Sequence, residues 1–212
     1  MRGLVRVVGG LSFAALQVLQ LVAGVRGGPQ ALWDVRVNGL DGTRVDLDGA
    51  RGRKVALIAN VASECGFTAS GYAALVELHD RYASEGLLVL AAPCNQFGRQ
   101  EPGSAKAIAQ FARSQGARFQ ILEKMDANGP LAHELFRFLK GGYVECEEGG
   151  DCEPYAFRGD VRWNFEYWLV GAHGHVEARW PAGFDVAGPE AQARIAAALR
   201  EMHADLGHHS EL

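Results

Sequence analysis

The chain has 212 residues, of which 48% are hydrophobic and 22% charged, and its formal charge is −4. That length suits one domain with some extra segments, and the composition is that of an ordinary globular protein. A negative chain without a basic stripe argues against a nucleic-acid surface.

Residues 1–28 differ from the rest. Arg2 and Arg6 precede an uncharged run from Val7 to Val25, which Arg26, Gly27, Gly28 and Pro29 close. A basic start and an apolar middle predict a secretory signal peptide, or an uncleaved signal anchor, since the run is about as long as a bilayer span. Only an anchor would bring the protein to a membrane. Loss of the leader with its three arginines would leave 18 basic and 25 acidic residues, a charge of −7. Residues 29–206 are expected to form the folded domain. Residues 207–212 are expected to be a tail. Its last four, HSEL (His209 to Leu212), resemble the HDEL/KDEL retrieval signal, with Ser210 in place of the acidic residue. Leader and tail together predict the secretory pathway, with the endoplasmic-reticulum lumen as destination and another organelle or secretion as the alternatives.

Within the domain, Trp33 to Leu47 alternates around Asn38-Gly39 and Asp41-Gly42, which predicts a hairpin. Lys54 to Val61 reads as a fully buried strand, and Leu87 to Ala92 as a second. Between them, Tyr72 to Ser84 has helical spacing at Leu75, Leu78 and Tyr82, and His79 is expected to be exposed there. Ser104 starts a helix with Ile108, Phe111 and Ala112 facing inward, and Phe119 to Met125 reads as a short strand. Pro130 to Lys140 predicts a helix burying Leu131, Leu135, Phe138 and Leu139, stopped by Gly141-Gly142. Phe165 to Val170 and His175 to Trp180 predict an antiparallel pair turning at Ala172-His173-Gly174, with Tyr167 and Trp168 on opposite faces. Pro189 to His203 predicts a closing helix. This order implies an α/β domain in three layers around a mixed sheet. Sites in such sheets gather beyond the carboxyl ends of the strands, where Cys65 and the stretch Gln96 to Pro102 fall.

Four cysteines occur, Cys65, Cys94, Cys146 and Cys152, with no C-x-x-C pair and no His and Cys spacing of a zinc site. Cys65 stands in NVASECGFT (Asn60 to Thr68), where a buried strand surfaces and a helix begins. A helix start favours the thiolate, and C-x-x-T offers no second sulfur to capture it as a disulfide. A thiolate so placed suits attack on a peroxide O–O bond, giving a sulfenic acid. Neutral donors could orient the peroxide, and Gln100 and Trp163-Asn164 carry such groups. Cys94 reads as a packed thiol, with a resolving role as the alternative. Cys146 and Cys152 lie in VECEEGGDCEP among five acidic residues and are expected to pair as a small-loop disulfide; a redox relay with Cys65 is the alternative. None of the histidines has a partner pattern for a Cys–His hydrolase, and Trp33 and Trp180 read as packing residues.

NVASECGFT, APCNQFGRQEPGS (Ala92 to Ser104) and WNF (Trp163 to Phe165) resemble, in order and spacing, the three signature blocks of the glutathione peroxidase family. The resemblance runs from Trp33 to Leu199. It implies a thioredoxin-like fold, a central mixed sheet flanked by helices. It also implies a catalytic tetrad on Cys65, Gln100, Trp163 and Asn164, with cysteine where some relatives carry selenocysteine. The implied activity is reduction of hydrogen peroxide or organic hydroperoxides through a cysteine sulfenic acid. No prosthetic group or metal is implied. The co-substrate would be a thiol reductant: glutathione, thioredoxin or a protein disulfide isomerase. Two departures stand out. GARF (Gly116 to Phe119) replaces the stretch in which many cysteine-type relatives carry a resolving cysteine, and Ala92 stands where the family usually has Phe. The wording SECGFT, the leader and the tail resemble the endoplasmic-reticulum members, which are linked to oxidation of disulfide isomerases. The alternative function is therefore a redox relay or sensor that passes oxidising equivalents to such a partner. A thiol-disulfide oxidoreductase without peroxidase activity is disfavoured by the missing C-x-x-C.

Overall fold

The computed structural model describes residues 28–141 and 159–209. The leader up to residue 27, Cys146 and Cys152 with their expected disulfide, and the last three residues of the HSEL tail lie outside the described residues.

A short antiparallel pair, β1 (Val37–Asn38) and β2 (Arg44–Val45), forms the expected hairpin, while Trp33 sits ahead of it in a single 3-10 turn. The main sheet has five strands in the order β5-β4-β3-β6-β7. Its centre is β3 (Val55–Val61), whose seven residues are all buried. On one side β3 pairs in parallel with β4 (Leu87–Pro93), which pairs in parallel with β5 (Gln120–Ile121). On the other side it pairs antiparallel with β6 (Tyr167–Val170), which turns back into β7 (Val176–Trp180). A continuous apolar run suits β3 because both faces of the sheet are covered.

Alternation along the strands divides the core in two. Val55, Leu57, Ala59, Val61 and Tyr167 face one cluster, packed under α1 (Thr68–Tyr82) and α4 (Pro189–His209). Phe111 and Ala112 of α2 (Ala105–Ser114) join that cluster. Ala56, Ile58, Leu90, Cys94 and Trp168 face the other, covered by α3 (Glu134–Gly141) and by Leu32, Trp33 and Val35 of the N-terminal segment. Trp33 and Trp180 are buried, as packing residues should be.

Several expectations are corrected. Helix α1 starts four residues before Tyr72, because hydrogen bonds at Thr68 rather than apolar spacing set its first turn. The third helix starts at Glu134, and Leu131 is 80% exposed in the turn that precedes it. There the His133 N–H donates to the Asp126 carbonyl and the Leu135 N–H to the His133 ring Nδ1, so these contacts hold the chain before Glu134 out of the helix. Of the stretch Phe119 to Met125, only Gln120–Ile121 is strand. The His79 ring is half-buried, edge-on to Phe119 with centroids 5.8 Å apart. Helix α4 runs through Gly207 to His209, so the first residues of the expected tail are helical. No helix among the described residues is long and apolar enough to cross a membrane.

Candidate active site

Cys65 lies beyond the carboxyl end of β3 and is 8% exposed. The turn that carries it is closed by Thr68. The Cys65 N–H donates to Thr68 Oγ1 (3.0 Å), Thr68 Oγ1 donates to the Ala62 carbonyl (2.8 Å), and the Thr68 N–H donates to the Cys65 carbonyl (3.0 Å). The threonine of C-x-x-T thus builds the turn as well as leaving out a second sulfur. The Phe67 N–H, at the start of α1, points at Cys65 Sγ with N···S 3.5 Å. A backbone donor at a helix start is the kind of contact that stabilises negative charge on sulfur.

The second block comes from the loop after β4. The Glu64 N–H donates to the Gln100 carbonyl at 3.0 Å, which brings Gln100 beside the cysteine segment. Gly98, at φ +66°, is where that loop turns; a Cβ there would stand 3.4 Å from the Trp163 ring and 3.3 Å from the Gln100 amide carbon. The third block ends at the same place. Asn164 is fully buried, and its Nδ2 donates to Gln100 Oε1 (2.9 Å) and to the Phe97 carbonyl (3.3 Å). This fixes the Gln100 amide with its oxygen occupied, so Nε2 is the donor left for the pocket. Asn164 Oδ1 is buried without a partner among the described residues. Trp163 is 39% exposed, with its ring 6.4 Å from that of Phe97. Phe67, whose N–H faces the Cys65 sulfur, is 38% exposed. The structure brings Gln100, Trp163 and Asn164 together, and the Glu64–Gln100 contact joins them to the segment that holds Cys65.

Sequence reasoning passed over the residue that holds WNF in place. Asn60 is fully buried and uses its side chain and backbone alike. Its Nδ2 donates to the Trp163 carbonyl (3.0 Å), its Oδ1 accepts from the Glu166 N–H (2.9 Å), and its carbonyl accepts from the Phe165 N–H (2.7 Å). The signal was a polar residue inside an otherwise apolar strand. Phe165 itself takes φ +64°, rare for a residue with a side chain. Its ring lies so close to Gly71 that a Cβ there would stand 2.3 Å from Phe165 Cδ1. Behind WNF, Arg179 and Glu166 form a buried ion pair (2.7 Å), and Arg179 also donates to the Gly159 and Asp160 carbonyls. Asn128 pairs in both directions with the backbone of Val161.

Cys94 is placed quite differently. It is fully buried on the opposite face, with its N–H on the Val61 carbonyl and its sulfur 3.9 Å from Gln96 Oε1. Burial pushes its thiol up, away from ionisation. A packed thiol is therefore what the structure shows, and a resolving role finds no support in this position. Both cysteines are free. Burial, with smaller contributions from Asp185 and Cys65, likewise pushes the Tyr167 hydroxyl up.

Residues 32–140 match the glutathione peroxidase family model, which takes in Cys65 and Gln100 and ends before Trp163. Phospholipid hydroperoxide glutathione peroxidase 1, chloroplastic, of Arabidopsis thaliana is 42% identical over 152 residues, 70% of this chain and 58% of its own. Relatives from that plant are designated chloroplastic or mitochondrial, and the chain spans about three-fifths of their length. The crystal structure of T. cruzi GPX1 superposes with TM-score 0.58 at 30% identity, covering 80% of this chain and 96% of that one. A thioredoxin-family protein from Chlorobium tepidum, 17% identical, shares the fold with TM-score 0.53 over 82% of this chain and 98% of its own. The fold is thus thioredoxin-like, and the chain belongs to the glutathione peroxidase family.

Proposed function

We propose that the protein is a thiol-dependent peroxidase with Cys65 as its nucleophile. The Cys65 thiolate attacks one oxygen of the O–O bond, and that bond breaks. The products are a Cys65 sulfenic acid and, once the departing oxygen takes up a proton, water or an alcohol. A thiol then condenses with the sulfenic acid, releasing water and leaving a mixed disulfide. A second thiol displaces Cys65 and restores it. Gln100 Nε2 and the Trp163 indole N–H supply neutral donors to the sulfur and the peroxide, and Asn164 orients the Gln100 amide. The observation that carries this reading is the meeting of all three blocks at Gln100: Glu64 N–H on its carbonyl and Asn164 Nδ2 on its side chain.

The substrates are hydrogen peroxide and organic hydroperoxides. The names of the plant relatives, which specify phospholipid hydroperoxides, support the lipid end of that range. GARF lacks a resolving cysteine and Cys94 is buried on the far face, which supports an external thiol as the reductant, with a relay through Cys146 and Cys152 as the alternative. Glutathione, thioredoxin and a protein disulfide isomerase are the donors to compare. The disulfide isomerase, like the endoplasmic-reticulum lumen, rests on the wording of SECGFT and on the leader and tail. The designations of the relatives favour an organelle of the chloroplast or mitochondrial kind instead. Sequencing the mature N-terminus shows whether Arg2 survives, and deleting HSEL shows whether the tail retains the protein.

Peroxide loss followed with each donor tests the activity. Multiple turnovers that vanish in Cys65→Ser are expected. Stoichiometric oxidation of a partner without turnover would favour the relay, and no reaction with peroxide would overturn both.

A further inference from the structure

Glu101, next to Gln100, is a fully buried carboxylate that the proposed chemistry does not use. The residue is held from three directions. Its N–H donates to Asn95 Oδ1 (2.9 Å), its carbonyl accepts from Lys124 Nζ (3.2 Å), and its Oε1 accepts from Ser63 Oγ (2.7 Å). Its other oxygen, Oε2, is buried without a partner among the described residues, as is the Tyr72 hydroxyl. An apolar residue would fill the same space without the cost of burying a carboxyl. What a carboxyl offers, and leucine does not, is an acceptor for Ser63. Ser63 lies two residues before Cys65, and Glu64 between them bonds the Gln100 carbonyl. Two adjacent contacts, Ser63 to Glu101 and Glu64 to Gln100, therefore stitch the cysteine segment to the glutamine segment.

We infer that Glu101 is a positioning residue: by accepting from Ser63 it fixes the distance between the Cys65 sulfur and the Gln100 amide. This rests on the peroxidatic reading of Cys65. The groups that act on the carboxyl are Ser63, Lys124 and Glu64, and Glu101 in turn acts on Tyr72 and Cys94. Burial pushes Glu101 up, while Ser63 and Lys124 pull it down.

The test reads the sulfur without peroxide, so failure of the stitch is distinguishable from failure of the peroxidase reading. Alkylation of Cys65 by iodoacetamide at neutral pH is timed by mass spectrometry of its peptide in the full chain. The variants are Ser63→Ala, Glu101→Leu, Glu101→Gln and the Ser63→Ala/Glu101→Leu pair. Ser63→Ala removes only a partly buried hydroxyl, and so keeps the question open if Glu101→Leu folds poorly. Both should slow alkylation by about tenfold, as the donor loses its fixed position. The pair should be no slower than either alone, and Glu101→Gln, which keeps the acceptor, should stay within about twofold of the parent. Wild-type rates in Ser63→Ala, additive losses in the pair, or a Glu101→Gln as slow as the leucine variant would each overturn the inference.

Discussion

Cys65 and Cys94 leave the carboxyl ends of neighbouring parallel strands, yet their surroundings differ in every respect that matters for reactivity. Cys65 sits under the start of α1 with a backbone N–H on its sulfur and slight exposure. Cys94 follows β4 directly, faces the opposite core and has its thiol pushed up by burial. The N–H of Cys94 even donates to the last residue of the strand that leads to Cys65. Proximity to a strand end is thus not enough to make a thiol a nucleophile. The face it turns to and the donors it meets decide.

The largest effect expected from breaking that contrast is on turnover. Cys65→Ser should lower peroxide consumption by at least about a thousandfold, while Cys94→Ala should leave it within about twofold. Steady-state assays with one thiol donor compare the two directly. Next comes the donor. Gln100→Leu keeps the bulk but removes the amide, and should slow oxidation of Cys65 by about a hundredfold in rapid-mixing measurements. Third is the scaffold behind WNF. Asn60→Ala strands the Trp163 carbonyl and the Glu166 N–H, and should destabilise the fold by about 2–3 kcal/mol. Gly71→Ala drives a methyl into the Phe165 ring and should cost about 1–3 kcal/mol. Denaturant titrations measure both.

The smallest effect is a pH dependence. Glu101 has its carboxyl raised by burial, so the folded state holds the proton more tightly than the unfolded one. Its contribution to stability is fully present below the unfolded value of about 4.3, and is lost as pH rises through the folded value. Stability curves from pH 4 upward should therefore be flatter for Glu101→Gln than for the parent.

Much of this was legible in the sequence, for definite reasons. The runs KVALIA and LLVLAA became β3 and β4 because strands buried on both faces are apolar throughout. Ser104 was readable as a helix start because its hydroxyl accepts the Ala107 N–H. Tyr167 and Trp168 fall on opposite faces because strand side chains alternate. What escaped was set by contacts distant in the chain. Asn60 looks like an interruption of β3 until Trp163 and Glu166 are seen to bond it from more than a hundred residues away. Thr68 looks like a missing cysteine until its hydroxyl is seen to close the turn. Leu131 fits a helical period, but the His133 N–H is bonded to the Asp126 carbonyl and the His133 ring accepts from the Leu135 N–H, which delays the helix past it.

The proposed chemistry requires the sulfur at residue 65 to be the one a peroxide oxidises. Exposing the reduced protein to one equivalent of hydrogen peroxide with dimedone present, then mapping the adduct by peptide mass spectrometry, tests it most directly. The sulfenic-acid adduct is expected on Cys65, with none on Cys94, in the folded protein. An adduct on Cys94, or an unlabelled Cys65, would contradict it.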